Sequence, residues 1–203
     1  MDDLEYFLRM GLRNPKQLMG KIGGIYRNAR FYATLEETFL VRPYQWLYER
    51  IKPNTTFIDL GASIGDTAIF FAANEKVRRI IAYEAMPLTY RIARRNLALS
   101  PLKKKITLVN SIVSSGSGTR YLKNQRGYGN AQLGEFDKGS KRVKVTNLNA
   151  LLKGLKNVAI KCDVEGHELE IFKEARLDNV YAIELEYHDS LPQMARLLKA
   201  RGF

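Results

Sequence analysis

The feature that most constrains the fold is a regular alternation of short apolar runs and amphipathic stretches, which begins near residue 56. Near-continuous apolar runs predict buried strands, and the 3.6-residue periodicity between them predicts helices. The predicted strands are 56–60, 79–84, 106–110, 158–163 and 180–187, and the predicted helices are 43–51, 65–75, 88–100, 147–155, 168–175 and 191–202. Strands that alternate with helices form parallel β-α-β units with right-handed crossovers. The sequence therefore predicts an α/β fold with a doubly wound, mostly parallel sheet.

One stretch, residues 111–145, interrupts this alternation. It is rich in glycine and contains "TRYLK" (119–123) and "RVKVT" (142–146), in which apolar and polar residues alternate. Such segments are typical of the two arms of an antiparallel hairpin. We predict a β-ribbon inserted into the fold, close to the face that carries the functional site.

Length and composition indicate a single domain in a reducing compartment. A chain of 203 residues is of single-domain size. We predict that residues 1–53 form a helical extension packed on a core domain of residues 54–203. No apolar run approaches the roughly 20 residues of a membrane span, and the acidic start does not resemble a secretory signal. With a single cysteine in addition, we predict a cytoplasmic location.

The positive charge of the chain is unevenly distributed. The net charge is +12, and residues 103–144 carry ten basic and two acidic side chains, a local excess of 10 − 2 = +8. Such clustering favours an acidic partner, whether phosphate, nucleic acid or anionic lipid. The alternative is a solvated basic loop that promotes solubility.

Acidic and polar side chains stand where the predicted strands end. They are Asp59, Glu84, Asn110, Asp163 and Glu186 to His188. In open α/β sheets, ligands bind outside the carboxyl ends of the strands. The sequence therefore places the functional site at this edge.

The turn after the first predicted strand, "FIDLGASIGDT" (57–67), indicates the type of ligand. It lacks the G-x-G-x-x-G pattern of nicotinamide sites, and acids on both sides disfavour a diphosphate. S-adenosylmethionine has an ammonium and a sulfonium group and no phosphate, so acids suit it. The residues predicted to bind this cofactor in the turn are Asp59, Gly61, Ala62, Ser63, Gly65 and Asp66.

The next two strand ends supply the remaining predicted cofactor contacts. Glu84, at the end of the second strand, is placed to accept hydrogen bonds from both ribose hydroxyls. Ala85 and Met86 follow it and are predicted to lie along one face of the adenine. Ser111 and Ile112, after the third strand, are predicted to reach the adenine edge.

The catalytic candidates follow the fourth and fifth predicted strands. Asp163 is predicted to face the amino or methyl end of the cofactor. Glu165 would orient the loop or the substrate, or alternatively cap the next helix. His188 is the leading general base, because imidazole titrates near neutral pH. The side chains of Asp163, Glu184, Glu186 and His188 are of the types that bind divalent metal ions. Acidic clusters also form salt bridges with groups such as Lys161, and we favour this interpretation. We therefore predict no metal.

The ordered motifs resemble those of FkbM-type methyltransferases over roughly residues 40–188. The segments are "FIDLGASIGDTAIFFA", "IIAYEAMP", "ITLVNSIVS", "VTNLNALL", "VAIKCDVEGHELEIFKEA" and "AIELEYH". The segment "KCDVEGHELE" (161–170) is the most specific, resembling the family pattern K-I-D-V-E-G-x-E-x-E. The resemblance implies a Rossmann-like class I fold, S-adenosylmethionine as cofactor, and O-methylation of sugars, polyketides or related hydroxylated metabolites.

Three features depart from the family pattern. Ser63 stands where asparagine is usual, and His167 replaces a common small residue. The sequence also ends at Phe203, before the final β-hairpin of the family. We expect either that more chain follows or that a partner, or the N-terminal helices, covers the sheet edge.

Three functions follow from these observations. The first is S-adenosylmethionine-dependent O-methylation of a hydroxyl on a sugar, lipid head group or small metabolite. The second is RNA methylation that uses the basic region 103–144. The third is a non-catalytic adaptor that retains the cofactor pocket and binds a partner at the incomplete sheet edge, where homo-oligomers would also form.

Overall fold

The structure is a computed structural model that describes residues 37–41, 43–123, 132–134, 140–188 and 191–203. Most of the predicted N-terminal extension lies outside the described residues. The extension's described part includes a short π-helical turn, Glu37–Val41, and helix α1, Gln45–Arg50. The division of the chain at residue 53 therefore stays a prediction.

The described residues form a main sheet of five parallel strands. Its strands are β1 (Thr55–Leu60), β2 (Val77–Tyr83), β3 (Ile106–Val109), β8 (Val158–Cys162) and β9 (Val180–Leu185). They lie in the order β3-β2-β1-β8-β9, and every neighbouring pair is parallel. The order reverses at β1, which has β2 on one side and β8 on the other. The predicted doubly wound parallel sheet is confirmed.

Helices cover both faces of this sheet. Besides α1, the described residues form α2 (Asp66–Ala72), α3 (Pro87–Leu99), α4 (Leu148–Leu152), α5 (Glu168–Lys173) and α6 (Leu191–Lys199), and a 3₁₀ turn at Lys103–Lys105. Because successive side chains of a strand point to opposite faces, Phe57 and Ile58 enter two separate cores. Phe57 stacks on Phe71 of α2 with ring centroids 3.9 Å apart, and Ile58 shares its core with Phe172 of α5.

The inserted segment is a small second sheet rather than a two-stranded ribbon. Its strands are β4 (Ile112–Ser114), β5 (Gly118–Lys123), β6 (Gln132–Gly134) and β7 (Lys141–Asn147), in the order β4-β7-β5-β6. β5 and β7 are antiparallel, as predicted, whereas the parallel pairing of β4 with β7 and the strand β6 were not expected. The inner face of this sheet packs on Ala85 and Met86. The insertion therefore closes over the carboxyl end of β2.

Strand β9 lies at one end of the main sheet, and in the part of the chain that the structure describes it pairs with β8 alone. The hydroxyl of Tyr181, on β9, lies 2.6 Å from the Thr55 hydroxyl and accepts a hydrogen bond from the Lys52 amide. Association through this edge stays a prediction.

No helix among the described residues is long and apolar enough to cross a membrane.

Candidate functional site

A cavity opens at the carboxyl ends of β1, β2 and β8, where the sequence places the site. Leu60, Gly61, Tyr83 and Glu84 line it from the main sheet, and Ile112, Val113 and Leu122 line it from the second sheet. The loop after β8 closes the third side. The cavity thus lies at the point where the strand order reverses, the usual ligand position in open α/β sheets.

The turn after β1 brings two strand ends into close contact. Gly61 has a φ of +79°, and its amide donates to the Tyr83 carbonyl at 3.0 Å. A Cβ at Gly61 would lie 1.7 Å from the carbonyl oxygen of Asp163, so only glycine fits. Ser63 has a φ of +45°, a left-handed conformation that asparagine adopts more readily than serine. The departure from the family's asparagine therefore places a less favoured residue at this left-handed position.

Asp59 holds a buried lysine instead of lining the cavity. Its side chain is fully buried, accepts a hydrogen bond from the Thr67 hydroxyl, and lies 3.6 Å from Nζ of Lys161. Nζ of Lys161 also donates to the Gly61 carbonyl at 2.9 Å and lies 3.5 Å from Asp163. Burial lowers the pKa of Lys161, but Asp59 and Asp163 outweigh it and raise that pKa overall. Lys161 pairs with nearby acids, as expected.

Asp66 is also buried away from the cavity. Its carboxylate accepts a hydrogen bond from the Thr38 hydroxyl of the π-helical turn, and burial raises its pKa to about 6. The predicted cofactor contacts that do not line the cavity are Asp59, Ala62, Ser63, Gly65 and Asp66. Ser63 still contacts the wall, because its amide donates a hydrogen bond to the Glu84 carboxylate.

Glu84 is a buried carboxylate at the cavity wall. Its side chain accepts hydrogen bonds from the amide of Met86, at 2.7 Å, and from the amide of Ser63. Only 8% of the residue is exposed, and this burial raises its pKa to about 7. Asn110 donates from its side chain to the carbonyls of Glu84 and Ala85. The loop that carries Glu84 is therefore held from both sides.

The four residues predicted around the adenine all line the cavity: Ala85, Met86, Ser111 and Ile112. The hydroxyl of Ser111 is already engaged, because it donates to the Lys144 carbonyl at 2.9 Å. Leu122 and Val113 of the second sheet complete this side of the cavity. Nothing in the sequence indicated these two, since their position depends on how the second sheet docks.

The loop after β8 turns sharply, so that Asp163 and Glu165 both line the cavity. Glu165 and Gly166 have φ values of +56° and +98°. Glu168, at the start of α5, holds this loop: its fully buried carboxylate accepts hydrogen bonds from the amides of Val164 and Gly166. The N-cap residue of α5 is His167, and it is Glu168 that binds the loop amides, so nothing here supports the alternative in which Glu165 caps the helix.

His188 lies beside the cavity, in contact with the same loop. Its Nδ1 lies 3.1 Å from Glu168, and its Nε2 lies 3.6 Å from both Glu165 and Glu186. Burial lowers the pKa of His188, but the hydrogen bond to Glu168 and the nearby carboxylates raise it above its usual value. Burial and the charge of Asp163 raise the pKa of Glu165. The three predicted catalytic residues, Asp163, Glu165 and His188, thus belong to one group.

Three of these side chains also have the arrangement of a possible cation site. Single ligand atoms of Asp163, Glu186 and His188 lie within 4.8 Å of one another. Glu184, which the sequence grouped with them, is not part of this set. Exposed acidic groups commonly adopt such spacing without an ion. The absence of a metal therefore stays a prediction.

The charge of the cavity is opposite to the charge of the protein. Three carboxylates line it, those of Glu84, Asp163 and Glu165, and no lysine or arginine does so among the described residues. The chain as a whole carries +12. These carboxylates would repel a diphosphate, whereas they would attract a ligand with an ammonium and a sulfonium group. The residues present therefore fit S-adenosylmethionine.

Comparison with known proteins gives the family. The model of the FkbM methyltransferase domain matches residues 59–203. The methyltransferase sdnD of Sordaria araneosa is 27% identical over 193 residues, covering 74% of each chain. M. capricolum TrmK, solved with S-adenosyl-homocysteine, is 14% identical with a TM-score of 0.48, over 74% of this chain and 53% of its own. An FkbM methyltransferase from Methylobacillus flagellatus KT is 16% identical with a TM-score of 0.42, over 68% of this chain and 37% of its own. This chain thus spans about half or less of those two solved proteins.

The chain belongs to the FkbM methyltransferase domain family and is a methyltransferase. The resemblance seen in the sequence is confirmed, and with it S-adenosylmethionine as the cofactor that the family implies.

Proposed function

We propose that this protein transfers a methyl group from S-adenosylmethionine to a hydroxyl of a sugar, a lipid head group or a small metabolite. One observation carries the proposal: a cavity lined by three carboxylates, without lysine or arginine among the described residues, adjoins a histidine held by a buried glutamate. The carboxylates suit the cationic donor. The histidine suits an acceptor that must lose a proton.

The cofactor would lie across the carboxyl ends of β1, β2 and β8. Glu84 would accept hydrogen bonds from the ribose hydroxyls, and Ala85 and Met86 would lie against the adenine. Asp163 would face the amino end of the donor. When bound, S-adenosylmethionine supplies an electrophilic methyl carbon on its sulfonium. The protein's contribution is to orient the two reactants and to exclude water, which accounts for much of the acceleration in such displacements.

His188 would act as the general base. In the neutral tautomer that serves as base, Nδ1–H would donate a hydrogen bond to the Glu168 carboxylate, and Nε2 would carry the lone pair on the side of Glu165 and Glu186. During the transfer, Nε2 would take the proton that the acceptor hydroxyl loses. His188 would then carry a positive charge. Glu165 would stabilise that positive charge.

Calorimetric titration with S-adenosylhomocysteine tests the proposal. We expect the wild-type protein to bind it and Glu84→Ala to bind it at least tenfold more weakly, because the ribose hydroxyls lose their acceptor. Glu174→Ala removes an exposed carboxylate outside the cavity and serves as the matched control. Failure of the wild-type protein to bind would end the proposal, and equal loss in both variants would remove Glu84 from the site.

An RNA acceptor is the second candidate. On the outer face of the second sheet, Tyr121 lies opposite Arg142 in register, and Lys144 on the same face is exposed. The other aromatic residues of the basic region, Tyr128 and Phe136, lie outside the described residues. RNA binding through six or more phosphates should weaken by roughly 10³ over a fourfold rise in salt. A binding constant independent of salt would exclude this candidate.

A further inference from the structure

Helix α3 presents an exposed face made only of arginine, leucine and alanine. The exposed residues of the helix are Leu88, Arg91, Arg94, Arg95, Ala98 and Leu99. At about 100° per residue, they fall within roughly 140° of the helix circumference. Leu88 and Leu99 lie along one rim of this face, with exposures of 40% and 57%. We call these six residues the α3 face.

The arginines of the α3 face carry positive charge that no described residue neutralises. None of the three forms an ion pair with a described residue, and the sequence from Ala85 to Gly134 contains nine lysine or arginine residues and no acid. Lys103 and Lys104, exposed in the 3₁₀ turn that follows α3, extend the positive charge. A surface of this kind attracts an extended anionic partner.

The apolar rim indicates which anionic partner fits. Exposed leucines beside basic residues gain energy when they enter the boundary between lipid head groups and acyl chains. A phosphodiester backbone offers them no comparable environment, and nucleic acid bases stack on exposed aromatic rings. The aromatic ring of α3, Tyr90, is only partly exposed and lies off the face. A lipid surface therefore matches both the charge and the leucines.

We propose that the α3 face docks this protein reversibly onto an anionic lipid bilayer. The arginines would lie among the head groups, and Leu88 and Leu99 would reach the acyl boundary. Met86, which lines the cavity, is the N-cap of the same helix. Docking would therefore hold the cavity close to the lipid surface.

Sedimentation with vesicles tests the proposal independently of methyl transfer and of cofactor binding. The wild-type protein is mixed with vesicles of phosphatidylcholine alone, or with 30 mol% phosphatidylserine added, at low and high salt. We expect binding to the anionic vesicles only. Raising the salt from 50 to 500 mM shortens the screening length from roughly 14 Å to roughly 4 Å and should weaken the binding.

Two triple variants separate the α3 face from general positive charge. Arg91→Gln, Arg94→Gln and Arg95→Gln together should weaken vesicle binding roughly 100-fold, at about fivefold per residue. Lys153→Gln, Lys156→Gln and Lys173→Gln remove the same charge from exposed positions elsewhere and should leave binding nearly unchanged. Leu99→Ser should weaken binding without a change in charge. Thermal unfolding of each variant establishes that it is folded.

Three results would overturn the proposal. The first is that the wild-type protein does not bind anionic vesicles. The second is that the two triple variants lose vesicle binding to the same extent. If a single-stranded RNA oligonucleotide binds through the three arginines while the vesicles do not, the face belongs to nucleic acid recognition instead. None of these results bears on S-adenosylhomocysteine binding, so the proposed methyl transfer is tested separately.

Discussion

Replacing Glu84 by glutamine should make the ligand-free protein more stable at neutral and alkaline pH. Glutamine has the size of glutamate, and its carbonyl oxygen retains an acceptor for the amides of Met86 and Ser63. What it removes is a negative charge at a site that is only 8% exposed. The substitution therefore isolates the cost of keeping that charge in the cavity wall.

The magnitude follows from the pKa of Glu84. Burial raises this pKa from 4.5 to about 7. Between these values the folded protein keeps the proton that the unfolded chain releases, so the wild-type free energy of unfolding falls as the pH rises through this window. This rise in pKa corresponds to a loss of about 3 kcal/mol in the free energy of unfolding, because each tenfold change in the proton-binding constant is worth about 1.4 kcal/mol. Glu84→Gln should show no such loss.

Urea unfolding of the wild-type protein and the variant at pH 4.5, 6 and 7.5 measures this difference, in which the other titrating groups cancel. We expect Glu84→Gln to gain about 3 kcal/mol over the wild-type protein between the first and last pH values. Glu174→Gln, at an exposed position, should show a difference that does not change with pH. A constant difference for Glu84→Gln would refute the reasoning, because it would mean that Glu84 is not buried in its charged form.

Three further predictions follow from the site. Gly61→Ala should cost at least ~3 kcal/mol of stability, because its Cβ would overlap the backbone of Asp163 at a positive φ. Gly116→Ala, where a Cβ would meet open space, should cost little. Urea unfolding compares the two variants, and equal costs would contradict the close approach of Gly61 to Asp163. Lys161→Met should lower the free energy of unfolding by about 3–5 kcal/mol at pH 7, since it leaves the carboxylates of Asp59 and Asp163 unpaired. This loss of stability should be smaller in acid. A loss that does not vary with pH would contradict the ion pairs. His188→Gln should lower kcat roughly 10²–10⁴-fold and leave the Kd of S-adenosylhomocysteine unchanged. A chelator should not affect the rate of the wild-type protein. Inactivation by the chelator would favour a metal held by Asp163, Glu186 and His188.

The main sheet was predictable because its information is local. Strand β1 is buried at all six positions, and its apolar residues Phe57, Ile58 and Leu60 accordingly fall on both faces of the strand. Glu84 could be identified for the same reason: it follows an apolar strand directly, and strand ends meet at one edge of a parallel sheet. Local patterns of this type locate the site without knowledge of the packing.

Contacts between distant segments were beyond such patterns. Thr38 binds Asp66 across 28 residues, and Glu168 binds His188 across 20. An acidic residue at the start of a helix is ordinarily read as favourable to the helix dipole, so nothing marked Glu168 as the residue that organises the loop after β8. Strand β4 was missed because three residues are too few to show a period.

A crystal structure of the protein grown with S-adenosylhomocysteine would show whether the cavity holds the cofactor. We expect the ligand to lie over the turn that begins at Gly61, with both ribose hydroxyls within hydrogen-bond distance of Glu84. A ligand bound elsewhere, or one whose ribose makes no contact with Glu84, would contradict this expectation.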